Sequence, residues 1–246
     1  MSTDSTPATP HLERPQRALV IVAHPDDADF GPAGTIAGWV DAGTIAHLVC
    51  CTSGEAGGDD PRTDPLELGK RREAEQWAAA RIVGYEGVTF LHQPDGALAN
   101  DLALREQLVR VLRTFRPDAV LSVDPRQLIG SWGHVQHTDH RAAGMAALDA
   151  VYPASQNPMA FPHLMIDEGL QPHKVRALYL FWGAQPNAWV DTSATLERKI
   201  DALRAHASQI KDPDGLAKEL REDAAGEGTH IGTAAAEAFW FSSPED

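Results

Sequence analysis

A chain of 246 residues with 43% hydrophobic and 23% charged side chains has the length of one large domain or two small ones and can bury a sizeable core. Its 35 acidic residues against 21 basic ones give a formal net charge of −14, a sign that opposes a nucleic-acid backbone or an anionic membrane surface as partner. No stretch approaches the about 20 consecutive apolar residues that a bilayer-spanning helix needs.

Residues 1–16 are rich in Ser, Thr and Pro and contain no apolar run, so they read as a disordered tail without the core of a signal peptide. The run Ala18-Leu19-Val20-Ile21-Val22-Ala23 is continuous and β-branched, which suits a strand covered on both faces. Residues 31–40 read as a helix that Gly43 closes in the left-handed conformation. A second apolar run, 45–51, ends at Thr52-Ser53-Gly54-Glu55. Its adjacent Cys50 and Cys51 point to opposite faces of a strand, so an ordinary disulfide between them is excluded and both are assigned to the core. That usage fits a reducing compartment, with the cytoplasm as the default location.

Residues 56–65 form a loop, and 66–83 carry helical periodicity that stops at Gly84. Residues 88–91 are a third strand, followed by the turn Gln93-Pro94-Asp95-Gly96. A helix from Asn100, read as its N-cap, runs to Phe115 with Leu104, Leu108, Val111, Leu112 and Phe115 on one face. Residues 118–123 are a fourth strand. This alternation predicts a single α/β domain over 17–246, Rossmann-like, with a mostly parallel sheet and helices on both faces. Further on, 152–172 holds four prolines and reads as an insertion or lid, 175–182 as a strand, and 193–210 as a helix. Residues 211–246 carry no assignment.

In an open α/β sheet, ligands bind at the carboxyl ends of the strands. Three polar clusters fall there: His24-Pro25-Asp26-Asp27, Thr52-Ser53-Gly54-Glu55, and the loop after Asp124 that reaches His134, His137, Asp139 and His140. A catalytic zinc takes three protein ligands from His and carboxylate and leaves a position for water. A further carboxylate must then accept the water's proton. His24, Asp27 and one histidine of the later loop supply the ligands, and Asp26 supplies the base. His137 and His140 stand three apart near the start of a helix at Thr138, whose apolar stripe would be Met145, Leu148 and Val151. One of the two could bind metal while the other donates to an oxyanion. Taken alone, the His-Pro-Asp-Asp segment also reads as a strand-end turn whose Asp caps the next helix.

The pair Ala23-His24-Pro25-Asp26-Asp27 and His137-Thr138-Asp139-His140 resembles the PIG-L/LmbE-like family of zinc-dependent N-deacetylases. Thr52-Ser53-Gly54-Glu55, Arg72 with Glu75, Pro94-Asp95-Gly96 and Ala205-His206-Ala207-Ser208-Gln209 match in order, so the likeness spans roughly residues 17–210. The resemblance implies one Zn2+ per chain, or another divalent ion, on His24, Asp27 and His140. It further implies Asp26 as general base and then acid, with His137 on the oxyanion, held by Asp139 or Asp95. Thr138 replaces the proline usual in the family and is expected to cap the helix. Arg72 is expected either to bind a substrate hydroxyl or carboxylate, or to sit on a solvated face paired with Glu73 or Glu75. Glu55 would order its loop through Arg72, and Trp132 would lie against a sugar face or anchor its loop. His206 and Gln209 reach the site or a subunit contact. The expected partner is a small N-acylated molecule, an amino sugar of the N-acetylglucosamine type or a related conjugate; a homo-oligomer is compatible. An amidase on a non-sugar substrate such as a thiol conjugate, a metal phosphoesterase, and a non-catalytic metal-binding protein are the competing readings.

Overall fold

The β-branched run beginning at Ala18 becomes the central strand of the molecule, β1 (Arg17–Val22), with both faces covered. The computed structural model describes residues 14–129 and 135–243. Among these, β1 is joined by β2 (Ile45–Thr52), β3 (Gly87–Gln93), β4 (Ala119–Val123), β5 (Ala177–Phe181), β6 (Ala188–Asp191) and β7 (Ala236–Ser242). They form one sheet in the order β3-β2-β1-β4-β5-β7-β6. The first five strands are mutually parallel, β7 runs antiparallel to β5, and β6 antiparallel to β7. The chain winds outward from β1 in one direction through β2 and β3, and in the other through β4 and β5. The reversal opens a crevice at the carboxyl ends of β1 and β4, where α/β folds place ligands.

The helices are α1 (Asp27–Phe30), α2 (Ala33–Asp41), α3 (Pro65–Val83), α4 (Leu102–Phe115), α5 (Thr138–Asp149), α6 (Pro162–Ile166), α7 (Leu196–Arg204) and α8 (Pro213–Gly228). Alternate β1 residues feed two cores. Ala18, Val20 and Val22 pack with α2, α3 and α7 on one face. Leu19, Ile21 and Ala23 pack with α4 and α5 on the other. Each large aliphatic side chain so buried stabilises the fold by about 1.5–3 kcal/mol.

Several expectations are corrected. Residues 14–16 of the expected tail are tied to the sheet: Thr44 Oγ1 donates to Pro15 O (2.6 Å) and Gln16 N donates to Asp118 Oδ2 (3.0 Å); residues 1–13 lie outside the described chain. Asp101, not Asn100, caps α4 by accepting from Leu104 N (2.9 Å), because Asn100 is engaged with Asp149 and Arg105. Of the expected α5 stripe, Val151 and Leu148 do reach the second core, but Met145 is 42% exposed and Ala143, Ala146 and Ala147 fill the buried face instead. Small residues win there because α5 lies so close to β4 that a Cβ on Gly144 would collide with Val123 O. The 152–172 segment is no lid: Leu164 and Ala154 belong to the second core, and Arg113 donates to the carbonyls of Ala154, Ser155, Asn157 and Ala160. The helix expected over 193–210 is only α7, and the unassigned C-terminal stretch supplies α8 and β7.

Candidate active site

β1 leads directly into His24-Pro25-Asp26-Asp27 at the crevice. Asp27 Oδ2 accepts from His24 N (2.9 Å), closing a tight turn. Within it Asp26 has φ 95°, a left-handed value that side chains other than glycine rarely adopt and that is held only where surroundings over-determine it. The surroundings come from α3. Gln76 Oε1 accepts from Asp26 N (2.8 Å), and Arg72 Nη2 donates to Asp26 Oδ2 (3.1 Å) and Pro25 O (2.7 Å). Arg72 Nη1 donates to Gly54 O (2.9 Å), and a Cβ at Gly54 would strike the guanidinium. Arg72 is therefore 4% exposed and packed inward, which corrects the solvated-face expectation.

The N-terminus of α5 supplies the opposing wall. His24 Nδ1 lies 3.2 Å from His140 Nε2 and 3.5 Å from Asp27 Oδ2, and His140 Nε2 lies 3.0 Å from Asp27 Oδ1. Donors on a tetrahedral zinc, each about 2.0–2.1 Å from the ion, stand about 3.3–3.4 Å apart. The three side chains thus approach one another at about ligand spacing, with His24 Nδ1 and His140 Nε2 each facing a different oxygen of Asp27. Two overlapping groups with metal-site spacing share His24: one with His137 and His140, one with Asp95 and Asp139. The other ring edge of His24 argues for the first side. Its buried Nε2 faces Asp95 Oδ1 (3.0 Å) and Asp139 Oδ2 (3.4 Å), an ion-pair contact without hydrogen-bond alignment. A proton on Nε2 answers these carboxylates and leaves the Nδ1 lone pair for an ion, the carboxylate–histidine–metal arrangement.

Both carboxylates are themselves fixed. Asp139 accepts from Gly96 N (2.7 Å) and Leu98 N (3.3 Å), and Asp95 accepts from Ala56 N (2.8 Å). Glu55 orders its loop through Asp95 N (2.9 Å) rather than through Arg72, whose Nη atoms are engaged by Asp26 and backbone carbonyls. His137, not Thr138, caps α5: its Nδ1 accepts from Asp139 N (3.2 Å). Of the two expected holders, Asp139 orients the ring, through its backbone N–H. This bond places the His137 proton on Nε2, 4.9 Å ring to ring from His24.

The electrostatics divide the two adjacent aspartates. Burial and the charge of Asp27 push the Asp26 carboxyl up to about 7, with Arg72 opposing. Burial would raise Asp27 too, but His140 and His24 outweigh it and hold this carboxyl well below its ordinary range. Burial lowers His24, yet Asp27 and Asp95 prevail and drive it to about 10. The pocket draws positive charge, which a divalent cation can supply as well as a proton. Burial, together with His24 and His140, lowers His137, favouring its neutral ring.

Trp132 and His134 lie outside the described residues. The sequence reading missed Trp182, which ends β5 with φ 62° and packs its ring 5.3 Å from that of His140. It also missed Gln76 and Asp29, which are wholly buried beside the turn. Gln76 stands one helical turn beyond Arg72, a spacing that would have flagged it once Arg72 was known to face inward.

A Rossmann-like sheet whose switch point carries a His/Asp cluster and a separately held carboxylate is the scaffold of a hydrolase. A family model described as PIG-L, GlcNAc-PI de-N-acetylase, matches residues 19–151, more than half of the chain. The sequence is 33% identical over 199 residues to diacetylchitobiose deacetylase of Thermococcus kodakarensis, covering 80% of this chain and 71% of the relative. It is 29% identical over 247 residues to 1D-myo-inositol 2-acetamido-2-deoxy-alpha-D-glucopyranoside deacetylase of a Mycobacterium species (strain JLS), covering 85% and 79%. The solved structure of N,N'-diacetylchitobiose deacetylase from Pyrococcus horikoshii superposes with a TM-score of 0.84 at 31% identity, covering 93% of this chain and 84% of that one. The chain belongs to the PIG-L family.

Proposed function

We propose that the protein is a zinc-dependent N-deacetylase that hydrolyses the acetamido group of an N-acetylglucosamine-type sugar or its conjugate. The observation that carries this reading is the donor triangle of His24, Asp27 and His140 beside a second carboxylate, Asp26, that Arg72 holds apart. His24, Asp27 and His140 would hold the ion. When bound, it supplies Lewis acidity, bringing a water's pKa down to about 7 and polarising an acyl oxygen. Asp26 takes the proton of the attacking water and returns it to the departing nitrogen; an affinity near neutrality serves both transfers. His137 donates its Nε2 proton to the acyl oxygen as that atom gains charge. Asp95 and Asp139 keep His24 in the ligating tautomer.

The two relatives act by name on acetamido sugars, which supports the sugar class over a thiol conjugate. Two free, buried cysteines support a cytoplasmic setting, and no helix among the described residues is long and apolar enough to cross a membrane.

The test joins metal analysis to a free-amine assay on N-acetylglucosamine, N,N'-diacetylchitobiose, an N-acetylglucosaminyl-inositol and an N-acetylcysteine conjugate. One ion per chain is expected, with amine release from the sugars that chelation abolishes and zinc restores. Release that survives complete metal removal, or release from the thiol conjugate alone, would overturn the reading.

A further inference from the structure

Asp26 sits in a backbone conformation that its own sequence does not favour, so something must hold it there. Gln76 Oε1 takes its N–H (2.8 Å), while its carbonyl accepts from Asp29 N (2.8 Å) and Phe30 N (2.9 Å). Gln76 Nε2 then donates to Asp29 Oδ2 (2.8 Å), and His206 Nε2 meets the same oxygen at 2.9 Å. Gln76, Asp29 and His206 are all wholly buried. A carboxylate taken out of water is costly unless it is paired. Asp29 is nevertheless no part of the donor triangle, and its side-chain partners are Gln76 and His206.

His206 arrives from just past α7, and its own turn is pinned to α3. Ser208 N and Oγ donate to Glu75 Oε1 (2.9 Å) and Oε2 (2.6 Å). Two consecutive α3 residues, Glu75 and Gln76, therefore connect the segment after α7 to the turn after β1. The chain from His206 through Asp29 and Gln76 ends on both backbone groups of Asp26.

We propose that His206, Asp29 and Gln76 form a buried brace that fixes the Asp26 turn, positioning this carboxylate for proton transfer without taking part in the chemistry. The proposal rests on the assignment of Asp26 as the base. Displacing a reacting group by about 1 Å can cost about 100-fold in rate. Gln76→Met keeps the volume and removes both hydrogen bonds.

The experiment measures kcat, KM and zinc content of Gln76→Met, alone and combined with Asp26→Asn, using N,N'-diacetylchitobiose. The expected result is a fall in kcat of about 10–100-fold, KM within about threefold of wild type and full zinc content. In the Asp26→Asn background the same change lowers residual turnover no further, because nothing remains to be positioned. His206→Leu should lose kcat similarly, whereas His206→Gln, which keeps a donor near the Nε2 position, restores it to within about fivefold. A wild-type kcat in Gln76→Met, an equal further loss in the Asp26→Asn background, or no rescue by His206→Gln would overturn the brace. If Gln76→Met shows no cooperative melting, the two His206 variants decide. Near-normal turnover in Asp26→Asn alone would instead remove the base assignment, and the brace with it.

Discussion

Replacing Asp26 with Asn should stabilise the metal-free protein while removing its activity. Burial and the neighbouring Asp27 raise this carboxyl from 3.8 to about 7, so between those values the folded protein keeps a proton that the unfolded chain has released. The native state then binds more protons than the unfolded one, and stability falls as pH rises through that window. At about 1.4 kcal/mol per pH unit, ionising Asp26 by pH 8 costs the fold about 4 kcal/mol. Asn cannot ionise, tolerates a positive φ, and still offers an oxygen to Arg72 Nη2. At about 2–4 °C per kcal/mol for a chain of this size, chelated Asp26→Asn should melt about 10 °C above chelated wild type at pH 8. The gap should shrink to less than half at pH 5, where most of the wild-type penalty has gone. Scanning calorimetry in chelator from pH 5 to 8 measures it. With zinc restored, turnover should fall about 100- to 10,000-fold at unchanged metal content. A melting gap that does not vary with pH, or a variant that melts lower at pH 8, would refute this reasoning.

Arg113→Met removes a buried cation that donates to the carbonyls of Ala154, Ser155, Asn157 and Ala160. With hydrogen bonds from charged groups contributing about 1.5–3 kcal/mol each, urea unfolding should show at least about 3 kcal/mol of lost stability. Gly144→Ala forces α5 away from Val123 O and should cost about 1–3 kcal/mol, read by the same titration. Burial lowers the pKa of both His47 and His173, so on acidification through 6.5 the unfolded chain takes up protons that the fold refuses, and stability drops. The double variant with Gln at both positions should flatten the stability profile between pH 6.5 and 5, and an unchanged slope would count against it.

The parallel half of the sheet was legible because most of its strands are short, largely apolar runs and α3 ends at Gly84, whose φ of 102° favours glycine. β6 and β7 were not legible. β6 is a four-residue strand of mixed burial, and β7 carries Glu237, whose carboxylate is buried against Gly34 N, Thr35 N and Lys199. Such a strand acquires its meaning from partners distant in sequence, some more than 200 positions away. At the site, His24 and Asp27 could be named as candidate ligands from residue type at a strand end, while the choice of His140 over His137 came only from the family resemblance. The inward aim of Arg72 could not be read, because a long helix with charged residues reads as solvated until the small Gly54 beside it is seen to make room. The cap at the head of α5 went to His137 for a similar reason: residue type favoured Thr138, and the direction of the entering chain decided otherwise.

His24 and His140 are 116 positions apart, and Asp29 and His206 are 177 apart. During synthesis, then, the first strand and its acidic turn emerge long before anything can complete the donor triangle. At that stage only two members of the proposed triangle exist, His24 and Asp27. The triangle closes when β4 has paired with β1 and α5 has docked, and the support behind Asp26 arrives later still, with the segment after α7. Order of emergence from the ribosome thus makes assembly of the proposed metal site a late event, and a truncated chain ending before α5 would carry the first motif without His140.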